Sequence, residues 1–289
     1  MSRSQEHPEE ALPSQADGAV PDCRPVEGDE HSSFILHPSS LTPCRLLIDP
    51  PGAGAWNMAV DEVLMGWSAA TGGCCLRFYG WREPTLSLGY FQVYGDRDRH
   101  APSLGCPAVR RTSGGGAIVH DRELTYSIVV PCGHPLAVRR LALYRAVHTS
   151  LIEQLWELGV TASLCAEAGG PTPGRQPFLC FQRRAAGDVL VGPAKVAGSA
   201  QRRSPGAVLQ HGSVLVGRSP AAPELPGLNE LLETPVRETQ LAEVWLAGLS
   251  RRLGLRCESG PLSEAERRQV GALAQSKYGA EAWTRNRRR

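Results

Sequence analysis

From Cys44 onward the chain switches between two periods of apolar spacing, and the switches outline its elements. Residues 44–48 (CRLLI) read as a strand, which Gly52 and Gly54 punctuate. Residues 56–65 change period, so that Val60, Val63, Leu64 and Trp67 fall on one face of a helix. Two strands are predicted over 75–79 and 85–90, with Gly80 and Pro84 turning the chain between them. Residues 108–111 lead into Gly114-Gly115-Gly116, residues 117–120 lead out, and a further strand over 124–130 stops at Pro131. The longest helical pattern runs over 137–158, where Tyr144, Val147, Leu151, Leu155 and Leu158 form one stripe that Gly159 ends. A loop at 169–177 precedes three predicted strands over 188–191, 195–200 and 208–216. Pro220, Pro223 and Pro226 mark a linker. Two helices are predicted after it, over 239–253 and 263–278, the second opened by a Ser263/Glu266 capping box. No internal repeat is visible.

Composition narrows the class. Residues 1 to 42 are rich in Pro, Glu, Ser, Asp and Gly and are predicted to be a disordered leader, because they offer little apolar surface to offset ordering entropy. The acidic, polar start lacks the apolar stretch of a secretory signal, and no apolar run reaches the ~18 residues a membrane span needs. A cytoplasmic protein with reduced thiols is the expectation, and nine cysteines cannot all pair within one chain. With 31 basic against 29 acidic residues, nothing global points to nucleic acid.

Three segments carry candidate chemistry. Arg110-Arg111-Thr112-Ser113-Gly114-Gly115-Gly116 joins two strand patterns. Three glycines let a ligand come close to peptide N–H groups, and two arginines could face an anion. The loop lacks the Gly-Lys-Ser/Thr of a P-loop, and no helix opens after it as a dinucleotide fingerprint requires; a plain glycine turn is an equal reading at this point. Lys195 lies in Lys-Val-Ala-Gly-Ser, and its short neighbours Ala194, Ala197 and Gly198 leave it free to reach into a pocket. It is the only lysine before Lys277 in a chain that otherwise uses arginine, which marks the ammonium as chosen. Cys180-Phe181 precedes it by fifteen residues. A cysteine beside a cation can be a nucleophile, although a lone cysteine is more often a small buried hydrophobe. No CxxC pair or HExxH exists, so no spacing supports a metal site; His120 and His211 lie nearest the other motifs.

Taken in order, Asn57 to Glu62, Leu76 to Tyr79, Arg110 to Gly116, His120-Asp121, Lys195 to Arg202 and His211-Gly212 resemble the lipoate–protein ligase and octanoyltransferase family over residues 44–216. The resemblance implies an α+β fold, a mixed β-sheet flanked by helices of the biotin/lipoate protein ligase catalytic-domain type, with residues 43–289 forming a single catalytic domain that has a helical C-terminal end. It implies that Arg110, Arg111, Ser113, Gly114, Gly115, Gly116, His120, Gly198 and Ser199 bind substrate, that Met58, Phe78 and Val109 line an acyl tunnel, and that Lys195 holds the acyl carbonyl. Members split by mechanism into ATP-dependent ligases and cysteine-dependent transferases. One transferase type, similar to the ligases, carries a Cys-Phe shortly before the lysine, which Cys180-Phe181 matches; no cysteine lies between Lys195 and Cys257, as the other type would need. The implied reaction moves an octanoyl group from acyl carrier protein through Cys180 to a lysine of a lipoyl-accepting protein, such as the glycine cleavage H protein or a lipoyl domain, with no cofactor. An ATP-dependent ligase and a non-catalytic acyl-binding protein are the alternatives. Gln182-Arg183-Arg184 and Pro193-Ala194 depart from the family pattern. The 73 residues after Val216 leave little room for the accessory domain of some ligases.

Overall fold

The computed structural model describes residues 41–139, 141–166 and 176–288. The expected leader lies almost wholly outside these residues, as does most of the 169–177 loop.

Strand β1 (Thr42–Ile48) leads into helix α1 (Gly54–Thr71), and β2 (Cys74–Tyr79) returns parallel to β1. A small sheet follows, from β3 (Thr85–Leu88), β4 (Ala108–Arg110) and β5 (Ile118–His120), in the order β4-β3-β5. Then come β6 (Glu123–Pro131), α2 (Pro135–Val138), α3 (Ala142–Glu157), β7 (Ala162–Leu164), β8 (Val189–Val191), β9 (Ala194–Ser204) and β10 (Ala207–Leu215). The C-terminal part adds α4 (Glu238–Leu253), β11 (Leu255–Ser259), α5 (Glu264–Leu273) and α6 (Glu281–Asn286). The large sheet is mixed, in the order β11-β1-β2-β6-β10-β9-β8-β7: its β11-β1-β2 end is parallel and every other pairing is antiparallel.

Alternation along the central strands divides the core between two faces. Leu76 and Phe78 of β2, with Leu124, Tyr126 and Ile128 of β6, pack under α3 and α4, where Trp245 is fully buried. Cys75 and Tyr79 point the other way, with Val129 and Leu209, against Met58, Val60 and Leu64 of α1. That second face, roofed by the small sheet, carries most of the polar groups described below.

Several expectations change. The 137–158 helix is two helices, because Arg139 takes an extended conformation (ψ 131°) between them. The 85–90 strand stops at Leu88, where Gly89 passes so close to the Gly-rich loop that a Cβ would sit 2.0 Å from the Gly115 carbonyl oxygen. Between the two C-terminal helices lies β11, an edge strand not predicted above: of Leu255-Arg256-Cys257-Glu258-Ser259 only Leu255 is buried and Cys257 half-buried, an alternation too short to stand out. The second helix ends in a wide π turn over Ala274–Tyr278, and its capping box forms as expected, Glu266 N–H donating to Ser263 Oγ at 3.2 Å and Ser263 N–H to Glu266 at 2.7 Å.

Candidate active site

A cavity of about 460 Å³, counting the space at its open mouth, lies between α1, the large sheet and the Gly-rich loop. Cys180 stands in its wall on a short turn, Cys180–Gln182, before β8. That turn is strapped to the loop: Cys180 N–H donates to Ala117 O at 2.7 Å, and Ala117 N–H donates to Phe178 O at 3.2 Å.

Lys195, near the start of β9, reaches the same place from behind. Its Nζ lies 3.9 Å from Cys180 Sγ, 3.4 Å from the Cys180 carbonyl oxygen and 5.2 Å above the Phe181 ring. Asp188 balances the charge at 2.8 Å, and the two side chains are almost fully buried. Asp188 is held in turn by the Tyr144 hydroxyl at 2.9 Å and the Ala185 N–H at 2.6 Å. A buried cation with one carboxylate partner and a thiol within reach makes a fixed donor for a negative oxygen that develops beside the sulfur. Gly198 makes room for it, since a Cβ there would fall 2.6 Å from Lys195 Cε.

The two arginines before the loop separate. Arg111 lines the cavity, yet its guanidinium donates to Ser87 O, Ser87 Oγ, Gly114 O and Gly116 O at 2.6–3.0 Å. It ties the loop shut, and burial lowers its pKa to about 10. Gly115 allows the curl with φ +88°. Arg110, expected to bind substrate, does not line the cavity. It is fully buried and donates to the carbonyls of Gly89, Tyr90, Gln92 and Thr284, while Trp283 Nε1 donates to its own carbonyl at 2.9 Å. Arg110 thereby pins α6 to the loop. Gly115, His120, Gly198 and Ser199 share the cavity wall with Cys180, whereas Ser113, Gly114 and Gly116 lie just behind it. Of the tunnel candidates only Met58 lines the cavity. Phe78 faces the opposite side of the sheet, 5.7 Å from the Trp245 ring, and Val109 packs on Gly54; Tyr79, one residue on from Phe78, takes the cavity position.

The hydroxyl and imidazole groups of the wall have protein partners for their hydrogens. Thr125 and Ser213 donate to Glu123 Oε1 at 2.6 and 2.8 Å, and His120 Nδ1 lies 2.6 Å from the same oxygen. Burial lowers the His120 pKa against the pull of Glu123, so its other nitrogen accepts from Ser87 Oγ at 2.7 Å. His211 Nδ1 lies 3.0 Å from Asp61 and its Nε2 lies 2.5 Å from Ser113 Oγ. Burial alone would raise the Asp61 pKa; His211, Arg77 and Ser127 together hold it below the usual carboxylate range. The hydroxyl and imidazole groups of this wall have no free hydrogen to offer a ligand, so an alkyl chain can lie against them without stranding a donor.

Asp188, Tyr144, His148 and the Asp61–Arg77 pair carry this geometry without having been singled out for it. His148 had a legible signal, as a polar residue beside Val147 in an apolar helical stripe. Asp61 and Arg77 sat within motifs whose roles only the three-dimensional pairing reveals. Among the described residues, no three His, Cys, Asp or Glu side chains come together as metal ligands.

A sheet of this order with a cysteine and a lysine beside a loop-covered cavity defines a class. A model of the lipoyl protein ligase A/B catalytic domain matches residues 53–226, and the chain belongs to that family. Within it, the chain is similar to octanoyltransferases. It is 36% identical to the octanoyltransferase LipM of Symbiobacterium thermophilum over 266 residues, covering 83% of this chain and 97% of that one. It is 30% identical to the LipM of Bacillus subtilis over 264 residues, 81% and 94% of the two chains. Among solved structures, lipoate-protein ligase A bound with ATP superposes with a TM-score of 0.66 at 22% identity, over 85% of this chain and 98% of that one. The bi-partite lipoate protein ligase from Thermoplasma acidophilum gives 0.67 at 21%, over 86% and 98%. At such identities the likeness establishes the fold alone.

Proposed function

We propose that this chain is a cysteine-dependent octanoyltransferase of lipoate biosynthesis, acting through Cys180. The observation that carries the reading is the Cys180 thiol beside the buried Lys195–Asp188 pair, at the wall of a mostly apolar cavity. Octanoyl transfer rests on the LipM relatives, which match four-fifths of the chain. The thioester route, the carrier-protein donor and the cytoplasmic setting are our own extension.

In the first step the Cys180 sulfur bonds to the octanoyl carbonyl carbon, the bond to the carrier thiol breaks, and the proton of Cys180 ends on that departing thiol. One thioester replaces another, so the step is close to balanced. Lys195 Nζ stabilises the oxyanion; loss of one such donor typically lowers rate by ~10²–10³. In the second step a lysine amine of the lipoyl-accepting protein attacks the acyl-enzyme, and formation of an amide draws the reaction forward. Arg111, Gly115, His120, Gly198 and Ser199 form the substrate wall, with Ser113, Gly114 and Gly116 supporting it. Residues 43–289 act as one catalytic unit: β11 completes the large sheet and α6 is pinned through Arg110.

The test is turnover with octanoyl carrier protein and a lipoyl-accepting domain. Wild type forms amide-linked octanoyl product without ATP, and Cys180→Ser does not. Product from Cys180→Ser at the wild-type rate would overturn the reading, and product only when ATP and free acid are supplied would overturn it in favour of a ligase.

A further inference from the structure

Ser199 belongs to a series of hydrogen bonds whose direction is fixed at its far end. His148, on α3, is fully buried, and burial takes its pKa down to about 4, so the ring is neutral with a single N–H. The Gly187 carbonyl oxygen 2.6 Å from Nδ1 can only accept, which places that hydrogen on Nδ1. Nε2 must then accept, and the group that gives it a hydrogen is Ser199 Oγ at 2.6 Å. With its hydrogen committed, Ser199 can only accept from the Tyr126 hydroxyl, also at 2.6 Å. Gln210 donates to Tyr126 at 2.8 Å, and Gln201 donates to Gln210 at 2.9 Å. Every hydrogen in the series runs the same way, toward His148 and Gly187.

Ser199 lines the cavity, and its oxygen retains one lone pair and no hydrogen. A developing oxyanion would need a donor and find none there. An amine, which carries N–H groups, would find its complement. The donor beside Cys180 is Lys195, three residues before Gly198 on the same strand. Ser199 in the cavity wall and the cation beside Cys180 therefore differ in kind.

We propose that Ser199 seats the attacking amine of the acceptor lysine by accepting an N–H hydrogen bond, and that His148 is the positioning residue that keeps Ser199 in that sense. The inference deepens the acyl-transfer reading above and rests on it. In the step concerned, the amine nitrogen bonds to the acyl carbon, the carbon–sulfur bond to Cys180 breaks, and the proton shed by nitrogen ends on the Cys180 sulfur. No further reactant enters.

The experiment loads Cys180 with octanoyl carrier protein, removes the donor, and splits the acyl-enzyme in parallel with a lipoyl-accepting domain and with 2-mercaptoethanol. A thiolate has no hydrogen to give, so the seat does nothing for it. Ser199→Ala and His148→Phe are each expected to slow aminolysis roughly tenfold more than they slow loading or thiolysis, the effect of one lost hydrogen bond. Ser199→Thr, which keeps the hydroxyl, restores aminolysis. The inference is overturned if aminolysis and thiolysis fall together, as a packing defect or a lost oxyanion donor would make them, or if Ser199→Ala leaves aminolysis unchanged. Thermal melting identifies a variant that fails to fold, and the remaining one decides. If wild type takes up no octanoyl group on Cys180, the acyl-transfer reading itself fails.

Discussion

Gly198→Ala is the smallest change that reaches the proposed reaction centre without touching a reacting group. The added Cβ would lie 2.6 Å from Lys195 Cε, 2.9 Å from Nζ and 3.2 Å from Asp188 Oδ1. Carbon–carbon contact is comfortable only from about 3.5 Å, so the end of the lysine must retreat by about 1 Å. It has nowhere neutral to go, because Asp188 holds Nζ at 2.8 Å and Phe181 lies beneath it. Misplacement by about 1 Å lowers rates on the order of 10²-fold, and overpacking of this sort costs about 1–3 kcal/mol of stability. The assay is the rate of Cys180 acylation by octanoyl carrier protein, followed by intact mass at single turnover, with melting measured alongside. The same substitution made in Lys195→Ala should cost little more, because the group it displaces is gone; the coupling in that double-mutant cycle is the quantity of interest. Acylation by Gly198→Ala within about threefold of wild type would refute the reasoning, since a loss near 10²-fold is expected. So would a full additive loss in the double variant.

Three further outcomes follow from the same geometry. Arg110→Lys keeps the charge but cannot span four carbonyls, so it should lower stability by about 2–4 kcal/mol in urea unfolding while the KM for the octanoyl donor stays nearly constant. His148 is neutral in the fold, with a pKa near 4 against an ordinary 6.5, so its contribution to stability is complete above pH 6.5 and is lost as pH falls toward 4. Between pH 7 and 5 that loss is about 2 kcal/mol, and urea unfolding of His148→Phe should show a correspondingly smaller drop over the same interval. Met58→Trp intrudes on the cavity, so its kcat/KM should fall about tenfold more with an octanoyl than with a butanoyl carrier protein.

The elements that follow strict periodicity were legible in the sequence, notably α1, β6 and β10, because each buries a full face or stripe against the sheet core. Strand β11 was not, since two apolar residues, Leu255 and Cys257, make an alternation too short to mark a strand, and its pairing partner β1 lies far back in the chain. The break between α2 and α3 was hidden for another reason: no Gly or Pro lies between Val138 and Ala142 to mark it. At the site, Cys180 and Lys195 stood out through residue choice and family spacing. Their partners did not. Asp188 precedes Lys195 by seven residues across a turn and a strand junction, and only the fold brings its carboxylate to 2.8 Å. Arg110 shows the converse, because it ends β4 and the Arg111 that follows it points to the opposite side. One closes the Gly-rich loop and the other anchors α6, a division that the dipeptide does not announce.

The claim on which the account stands is an acyl group carried by Cys180. Intact mass with peptide mapping after incubation with octanoyl carrier protein, without nucleotide and without acceptor, measures it directly. The account predicts one octanoyl group per chain, located on Cys180, absent from Cys180→Ser and discharged on adding a lipoyl-accepting domain. An unmodified chain that nevertheless turns over, or an octanoyl group mapped to another residue, would contradict it.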